Sequence, residues 1–382
     1  MTLTSPDTTE IGLPITELDT PSLLVDLHDL QFNIDKLAHH FAMASKHLRP
    51  HSKSHKTPAI AKMQMKAGAI GITCAKVGEA EVMANAGIED LLIANEVVGR
   101  RKVERLMALA KRSDVMVAVD NPVNLAQLNE TAGAAGVQPR VLVEVNIGHN
   151  RCGVLSTSEA VLDLCRFADT AEHLRFAGLM GYQGHIVDLE DASERESGAH
   201  ECLQRLASAR KMAEGAGLEV GIVSTSATGD YYVSTTYDAV TEVQAGSYAL
   251  MDAAYAKLNL GFKNALTVLT TVSSRPDPNQ VITDSGLKTV TPEHGWPLVK
   301  VPEGAKSAND PKGLRFLVCH ALSEEHGRLH TEGGETTLEL GDTIELIPGH
   351  GCTTMNLHDE IYAVNDGHVV DIWPISARGK VQ

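Results

Sequence analysis

Between residues 47 and 250 the chain alternates short apolar runs with longer stretches of helical periodicity. Eight of these runs are rich in Val, Ile, Leu and Ala, which is typical of parallel strands buried on both faces. Their predicted bounds are His47–Ser52, Gly71–Lys76, Asp90–Asn95, Asp114–Asp120, Arg140–Asn146, Phe176–Tyr182, Glu219–Thr225 and Glu242–Leu250. The intervening segments predict helices, among them Val77–Ala86, Val103–Lys111, Glu159–Thr170 and Ala199–Glu214.

Eight strands in series with helices between them favour a (β/α)8 barrel. The alternative is a doubly wound open sheet. Such a sheet usually has fewer strands, and no GxGxxG motif follows the first strand here.

The pattern changes after about residue 262, where short apolar runs are separated by turn residues. These runs predict strands at Leu266–Ser273, Val281–Thr283, Leu314–Cys319, Thr336–Leu340, Thr343–Ile347 and Glu360–Val364. We therefore predict a barrel over residues 31–262 and an all-β domain over residues 263–382. Residues 1–30 are expected to form a segment that packs on the β domain.

Composition narrows the possible partners. The 382 residues are 43% hydrophobic and carry a formal net charge of −16, which argues against nucleic-acid binding. No segment is long and apolar enough to span a bilayer, and the polar N-terminus lacks the pattern of a signal peptide. A cytoplasmic protein without a membrane partner is expected. The six cysteines form no CxxC pair, so most are expected to be buried thiols.

In a (β/α)8 barrel the active site lies at the carboxyl ends of the strands, so these ends are the first place to look for chemistry. The first strand ends in RPHSKSHK, with Lys53 at its centre. A lysine amine can bond covalently to an aldehyde cofactor, and desolvation or nearby positive charge tunes its reactivity. The alternative is a basic surface loop.

Two further strand ends carry candidate residues. Arg151 lies between glycines after the fifth strand and could reach an anion, although a surface turn fits this composition equally well. Tyr182 and Gln183 end the sixth strand and could hydrogen-bond a ring nitrogen or a carboxylate. Tyr182 could instead simply cap the barrel.

The last two strand ends suit a phosphate group, because small and hydroxyl-bearing loops let backbone N–H groups approach an anion closely. In barrels, phosphate sites often use the loops after strands seven and eight. The candidate residues are Thr225, Ser226, Thr228 and Gly229 after the seventh strand, and Gly246, Ser247 and Tyr248 after the eighth.

The β domain offers a candidate metal site at His350 and Cys352. In an extended chain residues i and i+2 point the same way, so both side chains could address one ion. Imidazole with thiolate favours zinc, and two protein ligands leave room for water and substrate. A lone HxC pair can also be a coincidence.

Taken together, these segments resemble a known family, the fold-type III pyridoxal phosphate (PLP) enzymes related to alanine racemase. Within it the chain is most similar to the D-threonine aldolase/D-serine dehydratase group. The matching segments are RPHSKSHK at Arg49–Lys56, EVNIGHNRCG at Glu144–Gly153, GYQGH at Gly181–His185, the loop Ser226–Gly229, QAGSYALMD at Gln244–Asp252, DSGLK at Asp284–Lys288, SEEHG at Ser323–Gly327 and PGHGC at Pro348–Cys352.

The resemblance implies that Lys53 holds PLP, that Tyr182 and the Ser226–Gly229 loop contact it, and that Arg151 lies nearby. It also implies a divalent metal at His350 and the residue two positions later. Aldolases of this group resemble one another in having His-x-Asp there, whereas the dehydratases are similar in having His-x-Cys. Cys352 therefore favours a dehydratase holding zinc, with manganese or magnesium as alternatives.

The expected function is a PLP- and metal-dependent dehydratase of a D-3-hydroxy amino acid, with D-threo-3-hydroxyaspartate or D-serine as substrate. The alternative within the group is an aldolase that gives glycine and an aldehyde. Relatives suggest a homodimer. Three alternative functions fall outside this group: a non-enzymatic PLP carrier, a racemase and a plain metal hydrolase. The racemase would need a second base, for which Tyr362 is the only tyrosine after residue 262.

Overall fold

The computed structural model describes residues 8–302, 304–306 and 308–382, so the first seven residues of the predicted segment 1–30 lie outside the described residues. The chain divides into two compact units. The larger unit consists of Ile34–Tyr248 with Gly379–Gln382, and the smaller consists of Ala249–Arg378 with the described residues up to Asn33.

The described residues form eighteen strands and ten α-helices, numbered in chain order. The strands are β1 (Ser22–Asp26), β2 (His47–Leu48), β3 (Ile72–Cys74), β4 (Asp90–Glu96), β5 (Asp114–Val119), β6 (Arg140–Asn146), β7 (Val154–Leu155), β8 (Arg175–Met180), β9 (Ile222–Thr225), β10 (Glu242–Val243), β11 (Leu266–Ser274), β12 (Gln280–Thr283), β13 (Leu298–Val299), β14 (Leu317–Leu322), β15 (Gly327–Thr331), β16 (Thr343–Ile347), β17 (Glu360–Asn365) and β18 (His368–Pro374). The helices are α1 (Leu27–Ala44), α2 (Pro58–Lys66), α3 (Val77–Asn85), α4 (Arg100–Ala110), α5 (Pro122–Ala135), α6 (Ala160–Thr170), α7 (Ala192–Gly215), α8 (Tyr231–Ser234), α9 (Ala253–Ala256) and α10 (Gly351–Met355).

The larger unit is built on a parallel sheet in the order β2-β10-β9-β8-β6-β5-β4-β3, with β7 paired to β6 as a side branch. A parallel bridge between His51 and Thr73 joins the two ends of this order, so the eight strands close into a ring. The predicted (β/α)8 barrel is therefore confirmed. In β5 and β6 the residues at Val115–Val119 and Val141–Val145 are buried without alternation, because a parallel strand is covered on both faces.

Several predicted barrel strands are shorter in the structure than in the sequence pattern, and two of them give way to 3₁₀ turns. β2 ends at Leu48, and a 3₁₀ turn follows at Ser52–Ser54. β10 ends at Val243, and a 3₁₀ turn follows at Ser247–Ala249. Most residues of these turns are buried although they leave the sheet, which explains why the sequence pattern extends the strands through them. The turns lift the chain out of the sheet at its carboxyl edge.

An ion-pair network, buried at Arg49 and Glu242 and exposed at Asp114, ties the opposite, amino edge of the barrel together. Arg49 pairs with Asp90 at 2.7 Å and with Glu242 at 3.0 Å, and it is 1% exposed. Arg140 also pairs with Asp90, at 2.6 Å, and extends the network to Asp114 at 3.0 Å. Asp90, Asp114, Arg140 and Glu242 are the first residues of their strands. The network therefore links the starts of β4, β5, β6 and β10.

The smaller unit contains a sheet in the order β14-β15-β12-β11-β1-β17-β18, with β16 paired to β11 and β13 paired to β16. Its pairs are antiparallel except for β1 with β17. One apolar cluster is centred on Val281, Leu329 and Leu346, and a second on Leu24 and Tyr362. The domain predicted as all-β lies in this unit, which is mostly β but also carries the short helices α9 and α10.

The strand predicted at Thr336–Leu340 is wrong, because this segment does not join the sheet. Its backbone and side chains bond to a neighbouring loop instead: the Thr336 hydroxyl donates to the carbonyl of Lys312 at 2.7 Å, and so does the Thr337 amide at 3.1 Å. Leu340 is 67% exposed, although it fits the alternating pattern. Among the described residues, no helix is both long and apolar enough to cross a membrane.

The close packing around Arg49 predicts a large cost for a single added methyl group. A Cβ at Gly71 would lie 2.2 Å from Arg49 Nη1 and 2.6 Å from the carbonyl oxygen of Asp90. We expect Gly71→Ala to lower the free energy of unfolding by about 3 kcal/mol, because the guanidinium cannot move without losing its buried partners. Urea unfolding measures the change. Gly215→Ala is the matched control, since no atom lies within 4 Å of its Cβ. Equal stability of the two variants would contradict the prediction.

Candidate functional site

Lys53 lies in the 3₁₀ turn Ser52–Ser54 that follows β2. Its backbone amide donates to His51 Nδ1 at 3.4 Å, which caps the turn. The Ser52 hydroxyl donates to the carbonyl of Thr73 at 3.0 Å, and the Ser54 hydroxyl donates to the carbonyl of His51 at 3.1 Å. Because both neighbours are buried and bonded, the backbone of Lys53 is fixed at the carboxyl edge of the barrel.

Three of the predicted site residues meet around one aromatic ring. Lys53 Nζ lies 5.7 Å from the ring centroid of Tyr182, and Arg151 Cζ lies 5.2 Å from the same centroid. His149 packs edge-on against this ring at 5.6 Å, and it stacks on His185 at 5.8 Å. Two cations and an aromatic face thus converge at the ends of β2, β6 and β8.

Burial and nearby positive charge keep His51 neutral. Burial lowers the pKa of His51 well below its ordinary value, and the positive charges of Lys53, Lys56 and Arg151 lower it further. Lys56 itself is held in an ion pair with the buried carboxylate of Glu79. The neutral His51 ring can therefore accept the Lys53 amide.

The loop after β9 is shaped by a buried aspartate that the sequence pattern did not reveal. Asp230 accepts hydrogen bonds from the Ser226 hydroxyl at 2.6 Å, the Ala227 amide at 3.0 Å and Gln183 Nε2 at 2.5 Å. Thr225 donates to Gln183 Oε1 at 3.0 Å. These bonds hold Ser226 in the left-handed region with φ +73°. Gln183 is fully buried, so it secures this loop rather than facing solvent.

The loops after β9 and β10 are tied to each other and to the Lys53 turn. The Tyr248 amide donates to the Thr228 hydroxyl at 2.9 Å. A Cβ at Gly246 would lie 2.7 Å from the carbonyl oxygen of His51, and a Cβ at Gly229 would lie 1.7 Å from that of Val187. Glycine is therefore required at both positions by close backbone approach. Next to Gly246, Ser247 begins a 3₁₀ turn and is partly exposed.

Tyr248 differs from the other predicted phosphate-loop residues, because its side chain is fully buried. Its hydroxyl accepts from Gln64 Nε2 at 3.1 Å. Burial raises the pKa of this hydroxyl above its ordinary value. The phenol thus belongs to the interior of the larger unit, whereas its backbone amide serves the loop contact to Thr228.

These residues fit the chemistry of PLP. The cofactor needs an amine to hold its aldehyde, donors for its phosphate and polar groups around its ring. Lys53 supplies the amine, and the loops at Ser226–Gly229 and Gly246–Ser247 offer the small residues, hydroxyls and backbone N–H groups that suit a phosphate. Lys53 Nζ and the Arg151 guanidinium both lie close to the Tyr182 ring, so Arg151 and Tyr182 are polar groups near the amine.

A pair of carboxyl groups lies next to Arg151 and was not found from the sequence. Ligand atoms of Glu96, Glu144 and Cys152 lie within 4.8 Å of one another, and Arg151 Nη2 lies 3.9 Å from Glu144 Oε1. Burial and the neighbouring Glu96 raise the pKa of Glu144 to about 9. Burial and the same carboxylates raise the pKa of Cys152 to about 11. The raised pKa keeps Glu144 protonated near neutral pH.

In the smaller unit, His350 precedes helix α10 and has extended backbone angles, whereas Cys352 lies in the first turn of that helix. The prediction that both residues lie on extended chain is therefore wrong. The two side chains nevertheless lie close enough to interact, since the Cys352 thiol contributes to the raised pKa of His350.

Asp252 orients His350, and its role was also missed, although it ends the QAGSYALMD segment. Asp252 Oδ2 lies 2.9 Å from His350 Nδ1 and accepts the Gly351 amide at 2.9 Å. Its other oxygen accepts the Tyr255 amide at 2.9 Å, and the side chain is 1% exposed. Burial favours the neutral imidazole, but the bonds and charges of Asp252 and Cys352 raise the pKa of His350 to about 10.

A carboxylate on one imidazole nitrogen leaves the other nitrogen available to a metal ion, which is the usual arrangement around metal-bound histidine. An imidazole oriented in this way beside a thiol fits a zinc-type ion. The donor set at His350 and Cys352 thus fits a divalent metal.

Comparison with known proteins identifies the family. The model of the alanine racemase N-terminal domain matches residues 25–254, and that of a putative serine dehydratase domain matches residues 265–364. The D-threonine aldolase of an Arthrobacter species is 39% identical over 381 residues, covering 98% of this chain and 96% of that protein. The D-threo-3-hydroxyaspartate dehydratase of a Delftia species is 26% identical, covering 88% of this chain and 92% of that protein.

The fold comparison agrees. The crystal structure of D-threonine aldolase from Filomicrobium marinum superposes with a TM-score of 0.90 at 38% sequence identity, covering 97% of this chain and 98% of that one. The chain belongs to the alanine racemase-like family of fold-type III PLP enzymes. Within that family it is a PLP-dependent lyase.

The protonated state of Glu144 predicts a specific pH dependence of stability. Its folded-state pKa of about 9 lies above the ordinary value of 4.5, so the folded state loses stability as the pH rises between these values. Glutamine cannot ionise. We expect Glu144→Gln to be more stable than the wild type by about 2 kcal/mol at pH 8, and by less near pH 5.

Urea unfolding of the PLP-free protein across this pH range measures the effect. Glu130→Gln, which removes an exposed carboxylate, is the control and should follow the wild-type profile. A Glu144→Gln profile parallel to that of the wild type would show that this carboxyl is ionised in the folded protein.

Proposed function

We propose that the protein is a PLP- and divalent-metal-dependent lyase that splits a D-3-hydroxy amino acid between Cα and Cβ into glycine and an aldehyde. D-Threonine and D-3-hydroxyaspartate are the proposed substrates. The observation that carries the proposal is the convergence of Lys53 Nζ and the Arg151 guanidinium on the Tyr182 ring, at 5.7 and 5.2 Å.

In this proposal Lys53 holds the cofactor through its Nζ, and the loops at Thr225–Gly229 and Gly246–Ser247 bind its phosphate through backbone amides. When bound, PLP takes up the electron pair released at the substrate's Cα. Lys53, once free, can return a proton to Cα, and its fixed backbone keeps Nζ at the carboxyl edge of the barrel.

Arg151 and Tyr182 have orienting roles in this scheme. The guanidinium keeps positive charge beside the ring of Tyr182. The partner of that guanidinium, Glu144, is uncharged near neutral pH and so neutralises it only weakly. Arg151 therefore stays available to an anionic group of the cofactor or substrate.

His350 and Cys352 are proposed to hold the metal, with Asp252 fixing the imidazole so that Nε2 faces the ion. A bound divalent ion acts as a Lewis acid that lowers the pKa of a substrate hydroxyl. Zinc suits the thiolate, and manganese or magnesium are the alternatives.

The reaction type is the finer part of the proposal. Identity of 38–39% over nearly the whole chain with two proteins named D-threonine aldolase supports cleavage of the Cα–Cβ bond. The second candidate is dehydration of D-threo-3-hydroxyaspartate or D-serine to a 2-oxo acid and ammonia. It is favoured by Cys352, the softer metal ligand that we expect in the dehydratases. A cytoplasmic location and a homodimer stay predictions.

Product analysis decides between the two reactions. With D-threonine we expect glycine and acetaldehyde, and with D-threo-3-hydroxyaspartate glycine and glyoxylate. Both activities should fall after treatment with a chelator and return with added Mn²⁺ or Zn²⁺. A 2-oxo acid with ammonia would establish the dehydratase instead, and no turnover of any D-3-hydroxy amino acid would reject both.

Replacement of Lys53 tests how the cofactor is held. Lys53→Ala should lose the visible absorbance of bound PLP on dialysis, because no amine remains to hold the aldehyde. Lys62→Ala, an exposed lysine on helix α2, is the matched control and should stay yellow. Circular dichroism checks that both variants are folded. A yellow Lys53→Ala protein would assign the cofactor to another lysine.

A further inference from the structure

The turn Thr291–Gly295 lies directly against the chain that leads into His350. A Cβ at Gly349 would lie 1.9 Å from the carbonyl oxygen of Gly295, 3.0 Å from that of Thr291 and 3.1 Å from that of Glu293. No other residue than glycine fits position 349 without displacing this turn. The backbone of the turn is therefore held within van der Waals contact of the His350 segment.

Hydrogen bonds from Thr291 also hold the turn against the His350 segment. The Thr291 hydroxyl lies 2.7 Å from that of Thr353 and 3.2 Å from that of Thr354, and it donates to the carbonyl of His350 at 3.4 Å. The Thr291 amide bonds to the Thr354 hydroxyl at 3.3 Å. The start of the turn is thus fixed to helix α10, which carries Cys352.

The tip of this turn aims two potential metal ligands at His350. Ligand atoms of Glu293, His294 and His350 all lie within 4.8 Å of one another. The His294 and His350 rings have their centroids 4.8 Å apart at an angle of 60°. His294 has φ +64°, in the left-handed region that a side-chain-bearing residue occupies at a cost. The backbone of His294 is therefore strained in the conformation that places its imidazole beside His350.

We propose that His294 is the third protein ligand of the divalent ion held by His350 and Cys352, an inference that rests on the metal site of the proposed function. Asp252 occupies His350 Nδ1, so Nε2 is the nitrogen left for the ion. Two imidazoles and a thiolate form a His₂Cys set, which is a zinc-type set with one position open. That open position would take the substrate hydroxyl.

Ligand atoms of His294 and His350 lie within 4.8 Å of each other, which is close to the separation that one ion requires. Ligands of a tetrahedral zinc ion lie about 3.4 Å apart, given metal–ligand bonds of about 2.1 Å. The side chains of Glu293 and His294 are exposed, whereas His350 is fixed by Asp252. The negative charge of Glu293, whose Oε1 lies 3.9 Å from His294 Nε2, further favours a cation here. A third ligand would retain the metal more firmly than the HxC pair alone.

Metal binding by the PLP-loaded full-length protein tests the proposal. The variant is His294→Asn, because asparagine tolerates the left-handed backbone and is a poor ligand for zinc. Competition with a chromophoric chelator measures Zn²⁺ affinity, and absorption of the Co²⁺-loaded protein reports the ligand set. We expect His294→Asn to lose at least about 10-fold in Zn²⁺ affinity. Its cobalt bands should shift, and the thiolate band from Cys352 should remain.

Two further variants separate the possible failures. His368→Asn removes an exposed histidine of β18 and should bind Zn²⁺ as the wild type does, while His350→Ala should lose binding. Wild-type affinity and an unchanged cobalt spectrum in His294→Asn, with loss in His350→Ala, would overturn the third ligand and leave the proposed function standing. If the wild type binds neither ion, both fail. An equal loss in His368→Asn would also overturn the specific role of His294.

Discussion

Closure of the parallel barrel is the constraint on which the larger unit depends. A parallel barrel closes only when its first strand pairs with a strand on each side. Here that strand, β2, is two residues long. The pairing is completed beyond the strand, by the bridge from His51 to Thr73 and by the Ser52 hydroxyl on the Thr73 carbonyl. Lys53 follows immediately. The same bonds that close the ring therefore fix the backbone of the residue with the reactive amine.

Cationic side chains have different partners at the two edges of the barrel. At the amino edge, the buried Arg49 and the partly buried Arg140 are both paired with carboxylates, namely Asp90, Asp114 and Glu242. At the carboxyl edge, Lys53 and Arg151 face an aromatic ring, and the carboxyl beside Arg151 takes up a proton instead of neutralising it. Paired charges suit a structural role, whereas cations left near an aromatic face suit the binding of an anionic ligand.

Orientation by buried carboxylates recurs in both units. Asp230 accepts hydrogen bonds from a hydroxyl, a backbone amide and the side chain of Gln183, and these bonds shape the loop after β9. Asp252 gathers two amides and the imidazole of His350. In each case a carboxylate with little access to water is stabilised by several donors, and those donors in turn become rigid. Rigid positioning is what a bound cofactor or metal requires from its surroundings.

The sequence determined the elements and much of the candidate chemistry, because both are recorded locally. Near-continuous apolar runs predicted β6 at its observed bounds, Arg140–Asn146, and short motifs placed Lys53, Arg151 and Tyr182 at strand ends. The local pattern failed at Thr336–Leu340, where hydrogen bonds to a loop that is close in space but 24 residues earlier in the chain replace sheet pairing. It failed again at Cys352, which lies in a helical turn.

Tertiary structure alone decided which distant residues act together. Asp252 meets His350 across 98 positions, and Glu96 meets Glu144 from another strand, so no local spacing records either pair. The proton on Glu144 depends on how deeply the fold buries it, and the approach of His294 to His350 depends on a glycine at 349. Periodicity reports the neighbours of a residue along the chain, whereas burial and charge depend on its neighbours in space.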